Sequence, residues 1–273
     1  MKTIRLIYLA LTAVISFSSC GDNNSDSPEK PVEKPQVKHI TRILQEEVNG
    51  DLTELIFSYD SEGRVTSMVE KDTDKTRASY TYTKSHTFTY GDNTIIVKRN
   101  DDETYTYSLL NGRITNSRRE YKYSSGTKTK VTSYSYDNQG HLKSMNENDE
   151  SNTYTWTGDN LTEIDETFQE NDGERHHTYK LEYNKNTAPA NYYLIGLFNS
   201  HESALAMMGN FGKMPTHLVS SINRYKNSSD YRSTTLTYKI QDDLPVVINY
   251  TEVQMRDNNP GTPSTAKITL EWN

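Results

Sequence analysis

Aromatic and polar residues alternate through most of this chain. Phe57-Ser58-Tyr59-Asp60-Ser61-Glu62-Gly63-Arg64-Val65-Thr66-Ser67-Met68 is echoed by Tyr134-Ser135-Tyr136-Asp137-Asn138-Gln139-Gly140-His141-Leu142-Lys143-Ser144-Met145, with six of the twelve positions identical. Side chains on a strand point alternately to its two faces, so Phe57 and Tyr59 share one face while Ser58 takes the other. Asp60 and Gly63 are turn formers: the carboxylate can bond its own turn backbone, and glycine takes a left-handed position without a Cβ clash. The unit predicts strand, tight turn, strand. Weaker copies follow the same pattern. Phe88-Thr89-Tyr90 leads to Gly91-Asp92-Asn93, Tyr105-Thr106-Tyr107 to Asn111-Gly112, Tyr154-Thr155-Trp156 to Gly158-Asp159-Asn160, and Leu181-Glu182-Tyr183 to Asn184-Lys185-Asn186. Their uneven spacing excludes a strict solenoid and fits consecutive hairpins joined up and down.

The same reading along the chain predicts strands over 40–47 and 52–59, joined by Asn49-Gly50, the strongest short hairpin signal. Further strands are predicted at 64–71, 78–90, 94–100, 103–109, 113–123, 128–136, 141–148, 152–156, 160–169 and 175–183. In Tyr80-Thr81-Tyr82 and His86-Thr87-Phe88-Thr89-Tyr90 one face is aromatic and the other is threonine, the mark of an antiparallel sheet buried on one side. Residues 184–217 break the alternation. Ala188-Pro189-Ala190 is a linker, and 200–208 predicts a short helix capped by Asn199 or Ser200 and ended by Gly209. That helix is expected to plug an open edge or end of the sheet. Strands resume at 217–225, 231–240, 244–255 and 265–272, with Pro245 marking a strand start or edge.

Leu, Ile, Val and Phe make up only about a fifth of the chain, close to the composition of disordered sequences. The 20 tyrosines decide otherwise, since Tyr/Thr alternation forms strands and a tyrosine ring buries much area with its hydroxyl still wet. The expected core is therefore thin and aromatic. A net charge of −7, with basic residues such as Arg118, Arg119, Lys122, Lys128 and Lys130 interleaved among Thr, Tyr and Glu, argues against nucleic acid.

Residues 1–19 have the form of an export signal: Lys2 and Arg5, a short apolar run over 6–17, then Ser18-Ser19. Cys20 follows and is the single cysteine, so no disulfide can staple the fold. Phe17-Ser18-Ser19-Cys20 resembles the lipobox of bacterial lipoproteins, with Phe17 in place of the usual aliphatic residue. The resemblance implies cleavage before Cys20 and acylation of its thiol. Gly21-Asp22-Asn23-Asn24-Ser25-Asp26 resembles the acidic signal that sends Bacteroidetes lipoproteins to the outer face of the outer membrane. Residues 20–37, with Pro28, Pro31 and Pro35, form a polar tether.

The export segment, the Tyr-Asp/Gly hairpins and the insert ending Gly209-Asn210-Phe211-Gly212-Lys213-Met214-Pro215 together resemble a Bacteroidetes lipoprotein family of unknown function described as having a porin-like fold. Tyr59-Asp60 and Tyr136-Asp137 also resemble the hairpin repeats of large bacterial toxin shells, which this chain is too short to build. The family resemblance covers 38–273 and implies a fold and an address, with no activity. A membrane-spanning barrel is not expected, because strand faces opposite the Tyr rows carry Thr, Ser, Lys and Glu instead of lipid-compatible side chains.

Catalytic chemistry finds no motif. Gly209-Asn210-Phe211-Gly212-Lys213 has the wrong spacing for a phosphate loop and follows a helix, so a helix cap and loop is the better reading. His176 and His177 point to opposite faces and cannot chelate together, and His39, His86, His141, His201 and His217 stand alone, as surface or half-buried residues. Glu163 and Asp165 share a strand face at a glycosidase-like separation, a pairing that polar strands also produce by chance.

The sequence thus predicts an all-β chain: an antiparallel up-and-down meander of about 14–16 strands, forming a curled sheet or incomplete barrel, with one short helix near 200–208. Residues 1–19 are the lipoprotein signal, 20–37 the lipidated Cys20 and tether, and 38–273 a single β-domain with an insert at about 190–216. The expected role is a surface lipoprotein that binds or interacts, glycans being one ligand class, with Tyr134, Tyr136 and Trp156 as stacking residues should they prove exposed. The alternatives are a carbohydrate-active hydrolase and a structural accessory of an outer-membrane complex. No catalytic residue, metal or cofactor is assigned. The expected partners are the membrane through the lipid, and a glycan or an outer-membrane protein; the chain is expected to be a monomer.

Overall fold

The structure is a computed structural model and describes residues 37–75, 80–100, 102–123, 126–170, 173–193, 200–227 and 229–273. The export segment, Cys20, the tether through residue 36 and the Asn199 cap lie outside the described residues. The predicted hairpins are there in order: β1 (Ile40–Glu47), β2 (Leu52–Tyr59), β3 (Val65–Asp74), β4 (Tyr80–Tyr90), β5 (Thr94–Arg99), β6 (Glu103–Leu110), β7 (Arg113–Tyr123), β8 (Gly126–Tyr136), β9 (Leu142–Glu147), β10 (Glu150–Thr157), β11 (Asn160–Glu170) and β12 (Gly173–Thr187). The helix α1 (Ser200–Met207) intervenes, then β13 (His217–Tyr225), β14 (Tyr231–Gln241), β15 (Leu244–Arg256), the two-residue β16 (Asn259–Pro260) and β17 (Ser264–Trp272).

Each barrel strand is antiparallel to its neighbours, and the meander closes on itself. β15 pairs β17, with Val247 opposite Thr269, and β17 pairs β1, with Ile43 opposite Leu270 and Glu47 opposite Ala266. β1–β15 and β17 form a closed barrel of sixteen strands, while β16 pairs only the end of β15. This corrects the expectation of a curled sheet or incomplete barrel. Hairpin signals are local, whereas closure depends on a register between Ile40 and Trp272 that no local pattern encodes. Closure also removes the bare edge through which a sheet could recruit a partner strand.

The turn chemistry explains the repeat. Asp60 Oδ1 accepts the amides of Glu62 and Arg64, each at 2.9 Å, and Asp137 Oδ1 accepts those of Gln139, Gly140 and His141 at 2.8–2.9 Å. An aromatic late in many of these strands has a further role. Tyr59, Tyr90, Tyr136, Tyr183 and Tyr238 donate their hydroxyls to the carbonyls of Ile40, Val65, Ile114, Leu161 and Val219 at 2.6–2.7 Å. Trp156 and Trp272 donate Nε1 to Leu142 and Pro245 at 2.8 and 2.9 Å. Each ring thus clasps the end of its strand to the beginning of the preceding strand in the ladder, all at one end of the barrel.

That end is plugged. α1 is only eight residues long, too short to hold as an isolated helix, and it persists because it is buried: His201, Ser203, Ala204, Leu205, Ala206 and Met207 are all inside. Phe211 behind it is fully buried. Ile114 N donates to Asn210 O at 2.9 Å and Lys213 N to Gly140 O at 3.0 Å, so the insert is stitched to the rim turns. Gly209 ends the helix at φ +76, the predicted cap. Gly212 lies at φ +83, and a Cβ there would strike the Gly140 carbonyl oxygen. Gly212→Ala is expected to cost more than about 2 kcal/mol, left-handed strain plus a backbone displacement, read as a lowered urea midpoint.

The two faces of the sheet are chemically distinct. Inward rows carry Phe57, Met68, Phe88, Val97, Tyr105, Tyr107, Ile114, Tyr134, Ile248 and Ile268, all buried. Outward rows carry exposed Thr83, Ser85, Thr87 and Thr89 on β4, Lys98 on β5, Arg118 and Lys122 on β7, Lys180 and Glu182 on β12, and Lys267 and Glu271 on β17.

Candidate functional site

The inner wall changes character from the plugged end to the open one. Nearest the plug it is apolar. In the middle lies an aromatic layer: Tyr107 OH meets His201 Nε2 at 2.9 Å, Tyr105 sits 4.1 Å from the His201 ring, and His86 stacks on His201 at 5.5 Å. Burial, with the nearby His86, Arg99 and Arg119, drives the His201 pKa down to about 3, so this imidazole is neutral in the plug. Burial likewise pushes the phenols of Tyr107 and Tyr134 well above the ordinary tyrosine value, and neither supplies an anion.

Away from the plug many inward rows become charged: Glu70 on β3, Lys84 on β4, Arg99 on β5, Glu103 on β6, Arg119 on β7, Lys130 on β8 and Glu147 on β9 carry it there. Glu103 accepts Arg99 at 2.6 Å, Tyr105 OH at 2.9 Å, and Arg119. Glu70 takes Lys84 at 2.7 Å, Glu147 takes Lys130 at 2.5 Å, and Glu252 takes Tyr250 OH at 2.7 Å. Glu166 is met by His177 at 3.0 Å and Tyr179 OH at 3.1 Å. Between these groups lie cavities. One of about 400 Å³ is lined by Lys130, Glu147, Glu150, Glu166, Phe168 and Arg224, and one of about 390 Å³ by Gln45, Glu47, Arg232, Leu236, Tyr250 and Glu252. Among the described residues, the half of the lumen away from the plug is a polar cup with aromatic and charged walls.

The proposed stacking residues are on the inner wall at the plugged side. Tyr134 is 7% exposed, with its ring 5.4 Å from Phe211. Tyr136 and Trp156 are half-buried, each used as a clasp, and Trp156 also stacks on His141 at 4.4 Å. Three histidines expected at the surface or half-buried are fully inside: His86, His141 and His201. His86 shares the inward register of Phe88 and Tyr90, a signal available in the alternation itself. His141 is clamped between Asp137 at 3.0 Å and Asp159 at 3.2 Å. His176 and His177 do point apart, the first outward to Glu174, the second into the cup. Glu163 and Asp165 lie on the outer face, beside Lys180 at 3.8 Å and Thr178 at 2.8 Å, outside the lumen. Among the described residues no trio of His, Cys, Asp or Glu converges as metal ligands.

The family described as a domain of unknown function (DUF4595) with porin-like fold matches residues 57–251. Solved structures are similar as well. A porin-like protein from Bacteroides uniformis ATCC 8492 superposes with a TM-score of 0.66 at 15% identity, covering 85% of this chain and 98% of that one. A porin-like protein from Bacteroides vulgatus ATCC 8482 gives 0.57 at 16% identity, covering 86% and 99%. At such identities the likeness speaks for the fold alone. No curated protein matches the chain.

Proposed function

We propose, for a chain that belongs to the family of domains of unknown function (DUF4595) with porin-like fold, that the barrel is a capped binding cup and not a channel. The plug carries this reading. With α1 and Phe211 buried inside the wall and the insert bonded to the rim, one end of the lumen is closed, and among the described residues no such plug fills the other. The outer face supports a barrel standing in water. Each Arg or Lys at the midplane of a bilayer costs a lipid-facing strand about 2–4 kcal/mol, and Lys98, Arg118, Lys180 and Lys267 all face outward. Membrane association then falls to Cys20 and its lipid, in an exported surface protein. β1 starts at the plugged end, where His39 N donates to Asn273 Oδ1 at 2.8 Å, so the chain enters the barrel there and the cup opens at the opposite end.

The ligand class that fits is polar and many-sided: walls of paired charges with Phe168, Tyr179 and Tyr250 among them suit a glycan, which offers hydroxyls to charged groups and ring faces to aromatics. The hydrolase alternative needs a carboxylic acid held protonated. The carboxyls that the fold displaces, Asp60, Glu103, Asp137 and Asp230 among them, all move below their ordinary values, as in ion-pair and turn acceptors.

Two measurements test the proposal. In planar bilayers the purified protein is expected to give no steady conductance; discrete, persistent channel steps would sink the capped-cup reading. In thermal melts against polysaccharides and host glycans, a ligand at a hundredfold excess over its Kd stabilises by about 2.7 kcal/mol. Phe168→Ala, in the cavity wall, is expected to abolish that shift while Lys180→Gln on the outer face leaves it.

A further inference from the structure

The mouth of the cup is not uniform. Between β12, β13, β14 and β15 a cavity of about 330 Å³ is lined by His177, Arg224, Lys226, Asp230, Arg232 and Arg256, with Gln254 beside them. Four cations therefore face one space in a chain whose net charge is −7. Their carboxylate partners are weakly placed or already taken. Arg224 Nη2 stands 3.8 Å from Glu166, whose Oε2 is occupied by His177 and Tyr179. Arg232 reaches Glu252 at 3.5 Å, while Glu252 also accepts Tyr250 OH. Lys226 and Arg256 have no carboxylate within ion-pair distance among the described residues. Asp230, the acid they flank, is held below the ordinary aspartate range by the Asp257 amide and Asn227 first, then by Lys226 and Arg256.

Arg224 is the unresolved member. Its Nε is buried and has no acceptor among the described residues. Its Nη2 lies 2.8 Å from His177 Nδ1, the same nitrogen that lies 3.0 Å from Glu166 Oε2. One imidazole nitrogen cannot serve both: protonated it confronts the guanidinium, unprotonated it confronts the carboxylate. A guanidinium with an idle Nε, a contested Nη2 and only a distant, shared carboxylate, next to two cations with no carboxylate in reach among the described residues, is poorly neutralised. The fork of an arginine matches the paired oxygens of a phosphate or sulfate.

We propose that this cavity is an anion seat, holding a phosphate or sulfate group on Arg224, Lys226 and Arg256. The cavity is larger than a bare oxyanion, so the group enters as the charged end of a larger polar ligand. The proposal rests on reading the open lumen as the binding site and names the chemistry of one wall of it.

The test is a thermal melt of the purified protein titrated with sodium phosphate and, separately, sodium sulfate, each against sodium chloride at equal ionic strength. At least one oxyanion is expected to raise Tm along a saturating curve. Lys226→Gln with Arg256→Gln, both exposed and outside any ion pair among the described residues, should weaken the apparent affinity about tenfold or more, since charge-assisted hydrogen bonds are lost. Lys239→Gln with Lys267→Gln, on the outer face, should leave it unchanged. Saturation by phosphate alone assigns a phosphorylated ligand, by sulfate alone a sulfated one, and by both a seat that reads charge and shape. A rise that never saturates and is equal in every variant is the general salting effect of these ions and overturns the seat, as does no rise beyond chloride. If a neutral glycan still stabilises the protein when both anions fail, the seat falls and the cup stands; if neither acts, the cup falls with it.

Discussion

Phe211→Ala lowers the stability of the barrel by about 3–5 kcal/mol, the expected cost of emptying a fully buried aromatic site. The ring has no solvent exposure and sits 5.4 Å from Tyr134 on the wall. The size of the effect follows from what surrounds it. A cavity costs most where the neighbours cannot collapse into it, and here they are strands fixed on both sides by ladder hydrogen bonds in a closed barrel. The floor cannot sag either: Asn210 and Lys213 on either side of the ring are tied to Ile114 and Gly140. Urea unfolding is the measurement, with a shifted midpoint and an unchanged slope. A loss below about 1 kcal/mol would mean that the plug is loosely seated, far from the large-to-small cost of a packed core. The cup would then have no fixed floor.

The plug and the hairpins were legible in the sequence to different depths, for physical reasons that particular residues expose. Asp60, Gly63, Asp137 and Gly140 announce their turns because turn chemistry is local. The helix over 200–207 is legible from Ala204, Leu205 and Gly209, and its plugging role from the break in alternation around it. Burial of His86 was recoverable, since it lies two residues from Phe88 on an inward row. The clasps were also latent in the pattern: Tyr59, Tyr90, Tyr136 and Tyr183 each stand at a strand end, within reach of a carbonyl that only the hairpin register identifies. Closure was not legible, because Ile43 and Leu270 are joined by nothing in the chain between them. The cup was the least legible part. Near the mouth both faces of a strand are polar, as in Arg118-Arg119 or Thr129-Lys130, so alternation no longer distinguishes Arg119, which pairs with Glu103 inside, from Arg118, which pairs with Glu120 outside.

Glu103 is the hub of the cup, and Glu103→Gln is expected to cost about 3 kcal/mol, at the lower end of what removing one partner from a buried ion pair costs. Its carboxylate is 9% exposed and holds two guanidinium groups and the Tyr105 hydroxyl at once. The amide keeps the shape but leaves Arg99 and Arg119 facing each other with one neutral oxygen between them. Arg119 is 37% exposed and can turn to solvent, which is why the lower figure applies. The acid dependence of the fold should change with it. Burial alone would raise the Glu103 pKa; the hydrogen bonds from Tyr105, Arg99 and Arg119 outweigh it and bring the group below its ordinary value of 4.5. A carboxyl depressed in the folded state stabilises the protein above its unfolded pKa, and that contribution is lost as pH falls through the folded pKa. The wild-type barrel should therefore weaken as pH drops below about 4.5, with other depressed carboxyls such as Asp137 adding to the decline. Glu103→Gln removes this one component. The stability difference between wild type and variant, measured by urea unfolding at a series of pH values, should be full at neutral pH and shrink steadily below pH 4.5. A difference that stays constant into acid would show that Glu103 acts through shape and packing, and that the charge network of the cup contributes nothing to holding its wall.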